Sequence, residues 1–170
     1  MPRVKSIKPK VPKSYNTDHA QLLLQSLQIF FFNNKEYLMK LHNIIESNDE
    51  INPALMDFFV TNYAKTNMSC IKLSNNDYFY IYDEYKNQLK SHTKKLFDPF
   101  KRSSKFIPKI EFEHDNIKVI TTIAQLNFYK WILKHDILKF VLENKKNICA
   151  AMSVYLDNKK QKKKLTSKEE

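Results

Sequence analysis

The sequence predicts an α+β fold: one mostly helical single domain over residues 18–156, with two short β-hairpins and disordered basic tails at 1–17 and 157–170. Three observations lead there. Apolar residues between 18 and 155 recur at helical spacing behind recognisable caps. Two pairs of short runs, rich in β-branched and aromatic residues, flank turns made of Asn and Asp. The two ends carry basic residues but no apolar face to bury.

The elements follow in order. In residues 1–17, Pro2, Pro9 and Pro12 alternate with Arg3, Lys5, Lys8, Lys10 and Lys13, which favours extended, solvated backbone. Asp18 can cap a helix from about His19, with Leu22, Leu23, Leu27, Phe30 and Phe31 at helical spacing. Tyr37, Leu38, Leu41, Ile44 and Ile45 resume the pattern, so Asn33-Asn34 either separates two helices or lies inside one. Asn52-Pro53 pairs a cap with a first-turn proline, and Met56, Phe59, Val60 and Tyr63 carry that helix to about Lys65. Residues 69–73 and 78–82 form a hairpin around Ser74, Asn75, Asn76 and Asp77. Asp83 caps a helix from Glu84 to about Leu96, and Asp98-Pro99 ends it, because proline restricts the residue before it. A second hairpin pairs residues 109–113 with 117–120 around His114, Asp115 and Asn116. Thr121 or Thr122 caps a helix through His135, with Leu126, Trp131 and Ile132 among its apolar positions. Asp136 restarts the chain as a helix over 137–143, and a last helix over 145–155 precedes the tail.

Composition bounds the rest. At 170 residues, 42% hydrophobic and 13% aromatic, the chain can build one real core. Its longest apolar stretch, 22–32, is interrupted by Gln25, Ser26 and Gln28 and falls short of the roughly 20 residues of a membrane span. The basic N-terminus is not followed by an apolar run, so the expectation is an intracellular, non-secreted protein without membrane attachment. Cys70 and Cys149 read as two buried thiols in a reducing compartment. Glycine is absent, which excludes glycine-rich phosphate loops, dinucleotide-binding turns and the hydrolase nucleophile elbow. Turns fall to Asn, Asp and Pro, and 16 Asn are available. The 27 Lys against 2 Arg, with abundant Asn and Ile, match AT-rich codon usage, which is the simplest cause of the missing glycine.

The formal charge of +11 is unevenly placed. Residues 1–17 carry +5, 157–170 carry +3 and 86–105 carry +6, which leaves −3 for the remainder. Clustering of this kind is the electrostatic footprint of a polyanion binder. The candidate nucleic-acid-binding residues are Lys86, Lys90, Lys94, Lys95, Lys101, Arg102 and Lys105. Lys86, Lys90 and Lys94 recur every four residues, on one face of the expected helix. Lysine ammonium groups act as point charges and suit phosphate contact better than base reading. The plainer reading is a solvated helix face. Tyr78, Tyr80 and Tyr82 alternate with Phe79 and Ile81, and one of these faces can stack on bases or simply shield the sheet. Phe97, Phe100, Phe128 and Trp131 read as core. The lysines from 159 to 164 fit a nuclear-import pattern or a nucleic-acid tail. Five histidines lack metal spacing, and no nucleophile, base or cofactor motif appears, so the expectation is no enzyme, no metal and no cofactor. Two functions remain. One is largely sequence-independent association with the phosphate backbone of DNA or RNA. The other is a structural or interaction protein whose basic face meets an acidic protein.

Three segments carry a resemblance: 57–65, 85–102 with Phe97-Asp98-Pro99-Phe100, and 121–131 with Gln125-Leu126-Asn127-Phe128. Over roughly residues 53–150 the chain resembles small uncharacterised proteins of nucleocytoplasmic large DNA viruses. It departs from their pattern at Ala124, where glycine is frequent, and at Lys130, where arginine is. The resemblance implies a large-virus protein, in a viral factory, the host cytoplasm or nucleus, or a virion. It implies no mechanism.

Overall fold

Asn33 and Asn34 separate α1 (Asp18–Phe32) from α2 (Lys35–Glu46). The Asn34 side-chain amide donates to the Phe30 carbonyl at 2.7 Å, which satisfies the end of α1. The computed structural model describes residues 18–46, 51–92, 94–102, 109–114 and 116–166. The expected arm at 1–17, the tail end at 167–170 and Lys105 lie outside them. Within these bounds the protein is a mostly helical single domain with two short antiparallel hairpins.

Asn52 caps α3 (Pro53–Phe58) as its residue type predicts: its side-chain oxygen accepts from the Leu55 amide at 3.0 Å. The helix then widens into a π turn (Phe59–Tyr63) before a last α turn, α4 (Ala64–Thr66). Strands β1 (Cys70–Lys72) and β2 (Tyr78–Tyr80) pair Ile71 with Phe79. Strands β3 (Ile110–His114) and β4 (Ile117–Thr121) pair Phe112 with Val119. In the absence of glycine, the left-handed positions at these turns fall to Asn76 and Asn116, both at φ 66°. Asp136, at φ 55°, does the same between the last two helices. Asn and Asp tolerate this region better than other residues with a Cβ.

Helix α6 (Ile123–Lys134) is the centre of the domain, and ten of its twelve residues are buried. Thr122 is its cap, accepting from the Gln125 amide at 3.1 Å. It packs against α1 on one side and α7 (Ile137–Thr166) on the other. Phe128 and Trp131 of this helix are buried as expected, as is Phe97 packed on them, whereas Phe100 is only half-buried.

Three elements differ from the sequence expectation. Strand β2 stops at Tyr80, and α5 (Ile81–His92) starts at once, with the Ile81 amide bonded back to the Ser69 carbonyl at 3.1 Å. Tyr82 therefore leaves the expected row of strand tyrosines. Helix α5 also ends four residues early, and packing explains why. The Phe97 ring lies 6.1 Å from that of Tyr85, whereas along a continuous helix twelve residues would separate them by about 18 Å. The chain turns back so that Phe97 can enter the core. Finally, the expected 137–143 and 145–155 helices are one. Asn144 does not break it, because its side-chain amide bonds to the Phe140 carbonyl at 2.9 Å within the helix. The expected boundary at 156 is not a break in the backbone either, since α7 runs on to Thr166.

The turn at 96–102 is fastened to the start of α6. The Asp98 amide bonds to the Ala124 carbonyl, Gln125 Nε2 to the Pro99 carbonyl at 2.9 Å and Asn127 Nδ2 to the Leu96 carbonyl at 2.8 Å. Gln125 Oε1 also accepts from the Thr121 hydroxyl at 2.9 Å, deep in the core. Gln125→Leu keeps the volume but strands two buried polar groups, and should cost about 2–3 kcal/mol in urea denaturation. A loss under about 0.5 kcal/mol would show that Phe97 and the Asp98 and Asn127 bonds hold the turn without Gln125.

Candidate nucleic-acid interface

Helix α5 is amphipathic: Ile81 and Tyr85 face the core, and Lys86 and Lys90 are exposed one turn apart. The expected row of three lysines stops at two. Lys94 and Lys95 are exposed, but they lie in the turn beyond His92, where the backbone no longer follows the helix. The rest of the strip is partly neutralised. Lys101 Nζ lies 3.4 Å from Glu46 Oε1, and Arg102 Nε lies 3.5 Å from Asp98 Oδ2. The Arg102 guanidinium also covers the Phe100 ring at 4.7 Å. Exposed ion pairs of this kind contribute little to stability, but each places a carboxylate where a phosphate would have to sit. Lys86, Lys90, Lys94 and Lys95 thus form the open part of the strip, and Lys101 and Arg102 its paired end.

The hairpin aromatics divide as alternation predicts. Tyr78 and Tyr80 are exposed side by side, ring centroids 6.4 Å apart, while Phe79 stacks on His135 at 4.8 Å. Burial, reinforced by the neighbouring Lys134, holds His135 below its ordinary pKa. His92 is held down likewise, by burial first and then by His19 and Lys130. Among the described residues, no three of His, Cys, Asp and Glu are grouped to hold a metal ion. No described helix is long and apolar enough to cross a membrane.

The sequence reading placed the lysine run at 159–164 in a tail, and the structure places it on a helix. Tyr155 still packs on Phe58, ring centroids 5.3 Å apart, and residues 156–165 beyond it are all exposed, so the end of α7 projects by about 15 Å. Lys159, Lys160, Lys162, Lys163 and Lys164 spread over an arc of about 200°. Val154, Asn158, Gln161 and Leu165 form an uncharged stripe on the other side. The signal was present in the sequence: residues 137–166 contain no proline or glycine and are rich in Leu and Lys.

The chain matches, over residues 3–170, the model described as "Family of unknown function (DUF7197)", and it belongs to that family. The match reaches beyond the expected 53–150 and takes in most of both basic ends. The chain is also 30% identical, over 170 residues, to "Uncharacterized protein L507" of Acanthamoeba polyphaga mimivirus. The alignment covers 97% of this chain and 65% of that relative. No solved structure matches.

Proposed function

We propose that this is a non-enzymatic, largely sequence-independent nucleic-acid-associated protein that holds the phosphate backbone with lysines on two helices. The observation that carries the reading is the projecting end of α7, where five lysines stand on exposed helix rather than in a tail. Lys86 and Lys90 on α5, with Lys94 and Lys95 beyond it, supply a second basic surface. Lys101, Arg102 and Lys105 complete the strip in this reading, although the first two must exchange carboxylates for phosphates to bind. With almost no arginine, such surfaces favour backbone contact over guanine reading. The giant-virus relative supports a viral setting, a factory or a particle in this reading.

A second reading has its own observation. Val154 and Leu165 on the uncharged side of α7 are 61% and 67% exposed, which suits an interaction or internal virion protein meeting an acidic partner. Salt separates the two, because counterion release weakens nucleic-acid binding linearly in log salt and an apolar-cored interface depends on salt far less. Changing Lys86, Lys90 and Lys94 to Gln should leave the fold intact and lower the log–log salt slope by about 2, equally for unrelated oligonucleotides. Fluorescence anisotropy at several salt concentrations reads this. An unchanged slope would reduce the strip to a solvated helix face, and no binding at low salt would leave the protein-partner reading.

A further inference from the structure

The π turn at Phe59–Tyr63 follows Asp57 by two residues. Such turns are rare and recur at functional sites. This one is stitched locally: the Ala64 amide reaches the Phe59 carbonyl, and the Thr61 hydroxyl donates to the Asp57 carbonyl at 2.6 Å. The Asn62 side-chain amide in turn donates to the Thr61 hydroxyl at 2.8 Å. Opposite lies the 96–102 turn that α6 holds. Between them opens a cleft of about 200 Å³, lined by Asp57, Thr61, Tyr85, Lys94, Asp98 and Arg102 over an apolar floor.

The groups in this cleft are not equally engaged. Asp98 is satisfied, accepting from the Phe100 amide at 2.9 Å and facing Arg102. Asp57 is half-buried, and among the described residues its carboxylate has neither a hydrogen-bond donor nor an ion-pair partner. Its pKa is raised: burial is the largest cause, Arg102 and Lys94 pull it down and Asp98 pushes it up. The Tyr85 phenol stays neutral, pushed up to about 12 by burial and then by Asp57. The cleft therefore presents a half-buried acceptor with no protein donor inside and two cations at its exposed mouth, Lys94 and Arg102. A half-buried carboxylate has lost part of its hydration, and a ligand that brings a donor recovers part of that cost.

We propose that this cleft takes one unpaired nucleotide unit, an amino-bearing base edge donating to Asp57 while Lys94 and Arg102 hold the phosphate. Aspartate accepts from the exocyclic amine of cytosine, and lysine and arginine take phosphate. The polarity of the cleft matches that of a nucleotide, donor edge at one end and anion at the other. The proposal rests on the nucleic-acid reading above and adds to it one base-sensitive position. Either a strand or a free nucleotide can supply the unit, so the test has two arms.

The first arm compares oligo-dC with oligo-dT by anisotropy. Thymine offers no exocyclic amine, so the protein should bind oligo-dC more tightly by about 10-fold or more, as one charge-assisted hydrogen bond gives. Asp57→Ala should erase the difference between oligo-dC and oligo-dT, bringing the two to one affinity. Equal binding of the two by the unmodified protein, or a preference that survives in Asp57→Ala, would overturn the proposal. The second arm titrates dCMP against dTMP and follows the backbone amides of Thr61 and Asn62 by NMR. If no oligonucleotide binds but dCMP alone shifts these amides, the function falls and the cleft stands; if dCMP shifts nothing, the cleft falls. Stability checks the variant. With its folded pKa above the unfolded 3.8, Asp57 favours folding at low pH, and that contribution is lost as pH rises through the folded value. Arg102, Lys94, Asp98 and Tyr85 face this group, and only Asp57 is changed, so Asp57→Ala should stay folded and lose that pH dependence.

Discussion

Trp131→Ala is expected to cost about 3–5 kcal/mol of folding free energy, the range for removing a large aromatic side chain from a core. Trp131 is 4% exposed on α6, and four rings surround it: Phe97 at 5.6 Å, Phe128 at 6.0 Å, Tyr85 at 6.3 Å and Phe79 at 6.5 Å. These come from β2, α5, the 96–102 turn and α6 itself, so one side chain ties four parts of the chain together. Its indole N–H has no partner among the described residues, so alanine breaks no hydrogen bond there and the loss is one of packing. A domain of this size holds about 5–15 kcal/mol in total, so the variant should sit near the edge of folding at 25 °C. Trp131 is the chain's single tryptophan, so far-UV circular dichroism must follow the urea transition. The neighbouring Lys130 sets the scale. Its ammonium donates to Ser26 Oγ at 2.9 Å and covers the Phe30 ring at 5.5 Å at the surface, and Lys130→Ala should cost under about 1 kcal/mol. A Trp131→Ala cost as small as that would mean that the four rings close over the gap.

The contrast between these neighbours was legible in the sequence, and so was most of the framework. Asn52 and Thr122 cap helices because their side chains reach an amide three residues on, a local event that residue type reveals. The hairpins were legible from Asn76 and Asn116, the residues that take left-handed turns when glycine is missing. What escaped depends on distant partners. Helix α5 stops short because Phe97 must return to Tyr85 and Trp131, and no property of residues 92–96 announces that. The π turn beside Asp57 has no composition of its own. Lys101 looked like a free cation, and its partner, Glu46, lies 55 residues away. The Arg102–Asp98 pair is the local exception, since its two residues lie only four apart in the sequence. The lysine run of α7 was misplaced because charge runs resemble tails, although its residues favour helix.

That misplacement determines where the largest effect on binding should appear. Changing Lys159, Lys160, Lys162, Lys163 and Lys164 to Gln should weaken nucleic-acid binding by about 10-fold or more at low salt and lower the log–log salt slope by about 3. The slope loss falls short of five because the lysines span about 200° of the helix, and a single backbone strand meets one side. Glutamine is nearly as good a helix former, and these side chains are exposed, so helicity and the melting temperature should hardly move. The preformed helix matters in itself. Lysines on a disordered tail would lose backbone freedom on binding, about 1–2 kcal/mol for each ordered residue, whereas those on α7 are already placed. A proline at Asn158 should therefore also weaken binding without changing the net charge, since it breaks the helix ahead of the lysines. Full binding by the proline variant, with loss only in the glutamine variant, would mean that charge alone suffices and the helix is incidental. Full binding by both would move the nucleic-acid contact to α5 and leave the α7 projection to a protein partner along Val154 and Leu165.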